Sequence, residues 1–244
     1  MTGPDPESLN PERVPPPGVR TSGAVPDQPT RVVLVRHGEA TCNTAGIVGG
    51  VRGCTGLTRL GVRQAGALAD RLARTGELAG VAALYSSVLP RAVQTARIIA
   101  PALDRWREGP ALAPVEDCDL CELHPGEADG LTWPEFVARF PEPDWDTDPN
   151  QLLAPGAESW RGFTTRAAAG VSALADAHPG QLVVAACHAG VIEATMLRFL
   201  SVRGIRLGLR TEHASITEWE HQGSRWLLRR YNDVTAVSGV AESS

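Results

Sequence analysis

Residue types able to do chemistry gather at three points of the 244-residue chain. The apolar run Val32 to Val35 leads straight into Arg36, His37 and Gly38. The segment SSVLPRAVQTA carries Arg91, and the apolar run Gln181 to Cys187 leads into His188, Ala189 and Gly190. Arginine presents a planar fork of donors that matches the oxygens of phosphate or carboxylate. Histidine can attack phosphorus directly or hold a proton, according to its state. A helix beginning near Gly190 would add backbone N–H groups and a positive dipole end for the same anion. Two arginines around a nucleophilic histidine point to phosphoryl transfer through a phosphohistidine.

These residues are far apart in sequence, so the fold must bring them together. Val32 to Val35, Val81 to Tyr85 and Gln181 to Cys187 read as short buried strands. Between and after them, helices are predicted over Leu57 to Gly76, Pro90 to Ala102, Glu158 to Ala177 and Gly190 to Leu200, with a modest one near Thr132 to Phe140. Two last strands, near Ala214 to Trp219 and Trp226 to Tyr231, flank HQGS and read as a hairpin. Strand and helix alternation predicts an α/β three-layer sandwich, with a mostly parallel central sheet covered by helices on both faces. Ligands of such sheets bind beyond the carboxyl ends of the strands, where all three segments end.

Composition narrows the chemistry further. All 23 basic residues are arginine, which excludes the Walker lysine, the kinase strand lysine and Schiff-base catalysis. A net charge of -5 gives no reason to expect nucleic acid or an anionic membrane as partner. No apolar run approaches the ~20 residues of a membrane span. Five cysteines, an odd number without a secretory signal, favour a reducing, cytoplasmic setting over a disulfide framework. Cys118 and Cys121 form a C-x-x-C pair, but no second pair accompanies it, so no metal is expected there. Residues 1–30 hold eight prolines and few apolar residues, predicting a disordered leader. A single catalytic domain is expected over 31–237, followed by a flexible tail over 238–244.

The ordered blocks resemble the histidine phosphatase superfamily, also called phosphoglycerate-mutase-like. RHGEATCN is similar to its R-H-G-(E/Q)-(T/S)-x-x-N signature, GLTRLGVRQA to L-T-x-x-G-x-x-Q-A, and SSVLPRAVQTA to S-x-L-x-R-A-x-Q-T-A. CELHPGEADGLT, PGAES, CHAGVI and ASITEWE follow in the family's order, so the resemblance covers about Arg31 to Asp233. It implies that His37 becomes phosphorylated. Arg36, Arg91 and His188 would hold the phosphoryl oxygens, Asn43 would add a donor, and Glu122 would be the general acid that later accepts a proton from water. Neither metal nor other cofactor is implied. Donors aimed at the equatorial oxygens supply most of the rate in such chemistry.

Departures from the pattern concern the substrate. Ala40 stands where the family has Thr or Ser, Cys54 and Gly56 replace an Asp and a Pro, Asp129 replaces a Glu, and Ala189 replaces a glycine after His188. Arg52 and His124 are further candidates for substrate contact, whereas His178, His213 and His221 read as structural. The expected substrate is a small-molecule phosphate monoester, and a homodimer is compatible with the sequence. Three other readings exist: a phosphomutase, a metal-dependent hydrolase on His37, His188 and Glu122, and a non-catalytic phospholigand-binding protein. Mutases of the family carry a longer insertion than the 66 residues separating Glu122 from His188, and adjacent arginines would repel a cation.

Overall fold

A computed structural model describes residues 28–202 and 206–240. The predicted leader lies outside the described residues except for 28–30, and Thr30 is already a sheet residue. Likewise, the predicted tail is described only as far as 240.

The element order is β1 (Thr30–Arg36), α1 (Thr41–Thr44), α2 (Arg59–Thr75), β2 (Ala83–Ser86), α3 (Pro90–Asp104), β3 (Val115–Glu116), α4 (Trp133–Arg139), α5 (Trp160–Ala177), β4 (Leu182–Cys187), α6 (Ala189–Phe199), β5 (Ile216–Gln222) and β6 (Arg225–Asp233). The six strands form one sheet in the order β3-β2-β4-β1-β5-β6, in which only β5 opposes the others.

The apolar runs do not alternate with polar residues because both faces of the sheet are covered. Val32 and Leu34 of β1, with Val183 and Ala185 of β4, pack against Phe163 and Val171 of α5 and Ile192 of α6. Their neighbours Val33, Val35, Val184 and Ala186 point the other way, onto Leu68 and Leu72 of α2 and Ile99 and Leu103 of α3. Each such leucine or isoleucine contributes about 1.5–3 kcal/mol by leaving water. The result is the three-layer α/β sandwich.

Local signals set the helix ends. Thr58 caps α2 by accepting the Gly61 N–H, and Gly76 closes it at φ 61°, a left-handed value that suits glycine. Pro90 occupies the first turn of α3, where its missing N–H costs nothing. Ser159 caps α5 from the Gly162 N–H. The final hairpin is longer than predicted. Its strands run into HQGS and leave only Gly223 and Ser224 to turn, with Gly223 at φ 61°. Two elements, the single-turn α1 and the two-residue edge strand β3, are too short to show a period in sequence.

The register positions the chemistry. Strands β1 and β4 are parallel neighbours with Arg36 opposite Cys187, so the next residues, His37 and His188, leave the sheet side by side. Among the described residues no helix is long and apolar enough to cross a membrane.

Candidate active site

Where β1 and β4 end, a cavity of about 480 Å3 opens, with Arg36, His37, Asn43, Arg91, Glu122 and Ala189 among its lining. His37 is buried, with 3% of its surface exposed. Its Nδ1 lies 2.7 Å from the Gly38 carbonyl. A carbonyl can only accept, so Nδ1 carries the proton and Nε2 the lone pair. That lone pair faces the Arg91 Nε–H at 3.2 Å. Burial first, then the charges of Arg91 and Arg36, hold the His37 pKa well below the ordinary range. The ring is therefore neutral, with a lone pair able to act as base or nucleophile and held in place by the protein itself.

Arg91 is set from the first turn of α3, and its Nη1 also donates to the Gly49 carbonyl at 2.8 Å. Arg36 donates from Nη1 to the Thr211 carbonyl and from Nη2 to His213 Nε2 at 3.0 Å. Its Nε–H, buried, has no acceptor among the described residues. His188 is wholly buried with its ring centroid 5.0 Å from that of His37. Its Nε2 meets the Ser87 hydroxyl at 2.8 Å, and its Nδ1 is buried without a hydrogen-bond partner among the described residues. Burial chiefly, with Arg91, His37 and Arg36 after it, pushes the His188 pKa well down too. Buried polar nitrogens without partners are rare, and here two adjoin one nucleophile.

Glu122 lines the cavity from the segment after β3. Its Oε2 accepts the Gly190 N–H at 3.1 Å, at the start of α6, and its Oε1 accepts the Leu123 N–H at 3.1 Å. A Cβ on Gly190 would stand 2.2 Å from Oε1 and 2.8 Å from the Phe163 ring, so the close approach requires glycine. The Asn43 Oδ1 accepts the Ala40 N–H at 3.1 Å, which fixes that side chain at the cavity edge. Ala189 is the first residue of α6, and it too lines the cavity.

Two sequence candidates are placed elsewhere. The Arg52 guanidinium turns to the Gly126 carbonyl at 3.2 Å and Asp129 at 3.8 Å, and is mostly exposed. His124 turns to Cys118 Sγ at 3.3 Å and Glu158 at 3.6 Å. Neither lines the cavity.

Other residues join the site that were not among its sequence candidates. His213, read as structural, accepts from Arg36 and has its ring 5.6 Å from His37. Burial above all, then Arg36 and Arg91, lowers its pKa to about 3, so it is neutral and free to accept. Ser87 holds His188, and the doubled serine of SSVLPRAVQTA was its only sequence signal. Asp129 accepts N–H groups from Gly50, Arg52 and Gly53 at 2.8–2.9 Å, tying down the loop whose Gly49 carbonyl receives Arg91. The outer wall is aromatic, built by Trp133, Phe136, Trp145 and Trp160, with Arg206 and Glu142 at the same cavity. By contrast, His178 and His221 do pack structurally: the first accepts from the Tyr85 hydroxyl at 2.9 Å and the second stacks on Trp226.

The family model described as histidine phosphatase superfamily (branch 1) matches residues 32–234, and the chain belongs to that superfamily. It is 33% identical over 221 residues to a metal-independent phosphoserine phosphatase of Arabidopsis thaliana, covering 88% of this chain and 87% of that one. A bifunctional protein of Mycobacterium tuberculosis is 35% identical over 201 residues, which are 80% of this chain but 52% of that relative, about half its length. Among solved structures, mycobacterial glucosyl-3-phosphoglycerate phosphatase complexed with VO3 superimposes with a TM-score of 0.66 at 28% identity, over 83% of this chain and 99% of that one.

Proposed function

We propose that this histidine phosphatase hydrolyses a small-molecule phosphate monoester in two displacements at phosphorus, with His37 as the nucleophile. One observation carries the reading: the Nε2 lone pair of a neutral His37 is aimed by a carbonyl, flanked by Arg91, and bordered by the His188 ring and by the buried Arg36 Nε–H, which has no acceptor among the described residues. In the first step Nε2 forms a bond to phosphorus while the ester P–O bond breaks. Glu122 gives its proton to the departing alkoxide, releasing the alcohol. In the second step Glu122 takes a proton from water as the water oxygen attacks the phosphohistidine. The P–N bond breaks, and His37 and protonated Glu122 are restored with phosphate as product. Arg36, Arg91 and His188 bind the equatorial oxygens, where charge sits in a loose transition state. No step needs a metal. Among the described residues, His37, His188 and Glu122 do not bring three ligand atoms together at metal spacing, which argues against the hydrolase on those ligands.

The relatives named for phosphoserine and for glucosyl-3-phosphoglycerate act, by those names, on monoesters whose alcohol part bears a carboxylate. Arg206, lining the same cavity as His37, gives this chain a cation outside the phosphoryl pocket. A carboxylated phosphate monoester is therefore the proposed substrate class. Five free thiols fit a reducing, cytoplasmic setting.

The test is release of inorganic phosphate from a panel of monoesters, with quenching in alkaline denaturant, where phosphohistidine persists, to trap a phosphoenzyme. His37→Ala is expected to abolish both turnover and the acid-labile label. Undiminished hydrolysis by that variant would refute the mechanism, and isomerised product without phosphate release would make the enzyme a mutase.

A further inference from the structure

The segment that carries Glu122 holds a second constellation that hydrolysis does not use. Cys118 and Cys121 bracket a 3-10 turn, Cys118–Leu120, with their sulfurs 3.3 Å apart, and His124 Nε2 lies 3.3 Å from Cys118 Sγ. The three ligand atoms all lie within 4.8 Å of one another. We propose that Cys118, Cys121 and His124 form a binding site for one thiophilic divalent cation of the zinc class, apart from the phosphoryl pocket.

The geometry favours a metal over a disulfide. Tetrahedral zinc, with bonds of about 2.3 Å to sulfur and about 2.0 Å to nitrogen, spaces such atoms about 3.5–3.8 Å apart. The 3.3 Å sulfur–nitrogen contact is close to that, and the sulfurs, 3.3 Å apart, need part by only about 0.5 Å. A disulfide needs about 2.05 Å and would leave His124 without a role.

The surroundings are those of a held ligand set. Glu158 accepts the His124 backbone N–H at 2.9 Å and faces its Nδ1 at 3.6 Å, the carboxylate arrangement that orients a ligating imidazole. Arg166 grips Glu158 through two contacts of 2.7 Å and donates to the carbonyls of Cys118, Asp119 and Cys121. Cys121 is buried, whereas Cys118 and His124 are partly exposed, so a cation has a way in and solvent can supply a fourth ligand. Bound there, it would tie down the turn immediately before Glu122.

The test is titration of the reduced, chelator-treated full chain with cobalt(II). One equivalent should produce the visible bands of tetrahedral cobalt and a near-ultraviolet thiolate charge-transfer band, and zinc should bleach both. Cys118→Ser and His124→Ala are expected to weaken uptake by about tenfold or more. Cys42→Ser, which alters a buried thiol hydrogen-bonded to Cys54 and outside this set, should leave the bands intact. If Cys118→Ser fails to fold, His124→Ala answers the question, because that ring is 42% exposed. Lack of bands in the folded, reduced protein would overturn the site. So would bands undiminished in both ligand variants, or a Cys118–Cys121 disulfide forming in place of metal uptake. No readout depends on turnover, so the phosphatase reading stands or falls separately.

Discussion

The floor and the outer wall of the cavity are built by opposite means. On the floor, Arg36, His37 and His188 sit at the ends of paired central strands, and Arg91 on the first turn of a buried helix. Each is held by a hydrogen bond to a carbonyl, hydroxyl or ring. The wall comes from α4, the loops around it and the first residue of α5, where Trp133 meets Phe136 edge to face and Trp145 stacks on Trp160. Donors must face charge that exists only in the transition state, which demands placement fixed in advance by a rigid sheet. A substrate's remaining atoms need only shape and one or two charges, which loops can supply.

The sharpest way to break this contrast is to remove a floor charge and compare it with a cation outside the cavity. Arg91→Ala should lower kcat/KM about a thousandfold, the scale of losing a preorganised donor to a developing oxyanion. Arg52→Ala, whose guanidinium faces Asp129, should stay within about twofold, because surface changes of this kind rarely exceed ~0.5 kcal/mol. Steady-state phosphate release measures both. Equal losses would mean that Arg52 swings into the cavity during turnover.

A smaller effect is expected where the floor depends on close packing. Gly190→Ala puts a methyl onto Glu122 Oε1 and the Phe163 ring, forcing the carboxyl from its two backbone donors. kcat should fall about a hundredfold, in the range of lost general acid catalysis, while KM changes little. A substrate with a leaving group acidic enough to need no proton should recover most of the loss in the first step. An equal defect with that substrate would show that Glu122 is not the acid. On the wall, Arg206→Ala should raise KM for a carboxylated monoester about tenfold at constant kcat, since a hydrogen bond to a charged group is worth about 1.5–3 kcal/mol. A monoester without the carboxylate should be indifferent to the change.

Legibility in the sequence followed the same division. The strands end in Arg-His and Cys-His because a sheet buried on both faces yields unbroken apolar runs, and a polar pair after such a run has few structural reasons to be there. The helices over 59–75 and 160–177 showed their period. What stayed hidden were contacts across chain distance: Ser87 on His188, Asp129 under the 50–53 loop, and His213 on Arg36, 177 residues away. A lone histidine in a loop gives no pattern to read. The same limit applies to His124, whose neighbours Cys118 and Cys121 made a visible pair, while the turn that brings the ring to their sulfurs did not show.

A further expected effect is on stability, and it concerns the floor alone. Burial, first of all, depresses the pKa of His37, His188 and His213 from the ordinary value near 6.5. In the unfolded chain these rings take protons below about pH 6.5, whereas in the folded protein they stay neutral well below it. Over that window the unfolded state binds more protons, so stability is fully present above about 6.5 and is lost as pH falls. Each ring contributes a slope of about 1.4 kcal/mol per pH unit, before the carboxylates begin to titrate near pH 4. Denaturant unfolding between pH 6.5 and 4.5 should show this loss, and His213→Gln should flatten the slope by about one proton. Saturating phosphate, which supplies acceptors to the floor, should raise the unfolding midpoint across the same range. An unchanged slope in His213→Gln would mean that this ring is solvated rather than sealed under Arg36, and the contrast between a rigid floor and an adaptable wall would lose its electrostatic half.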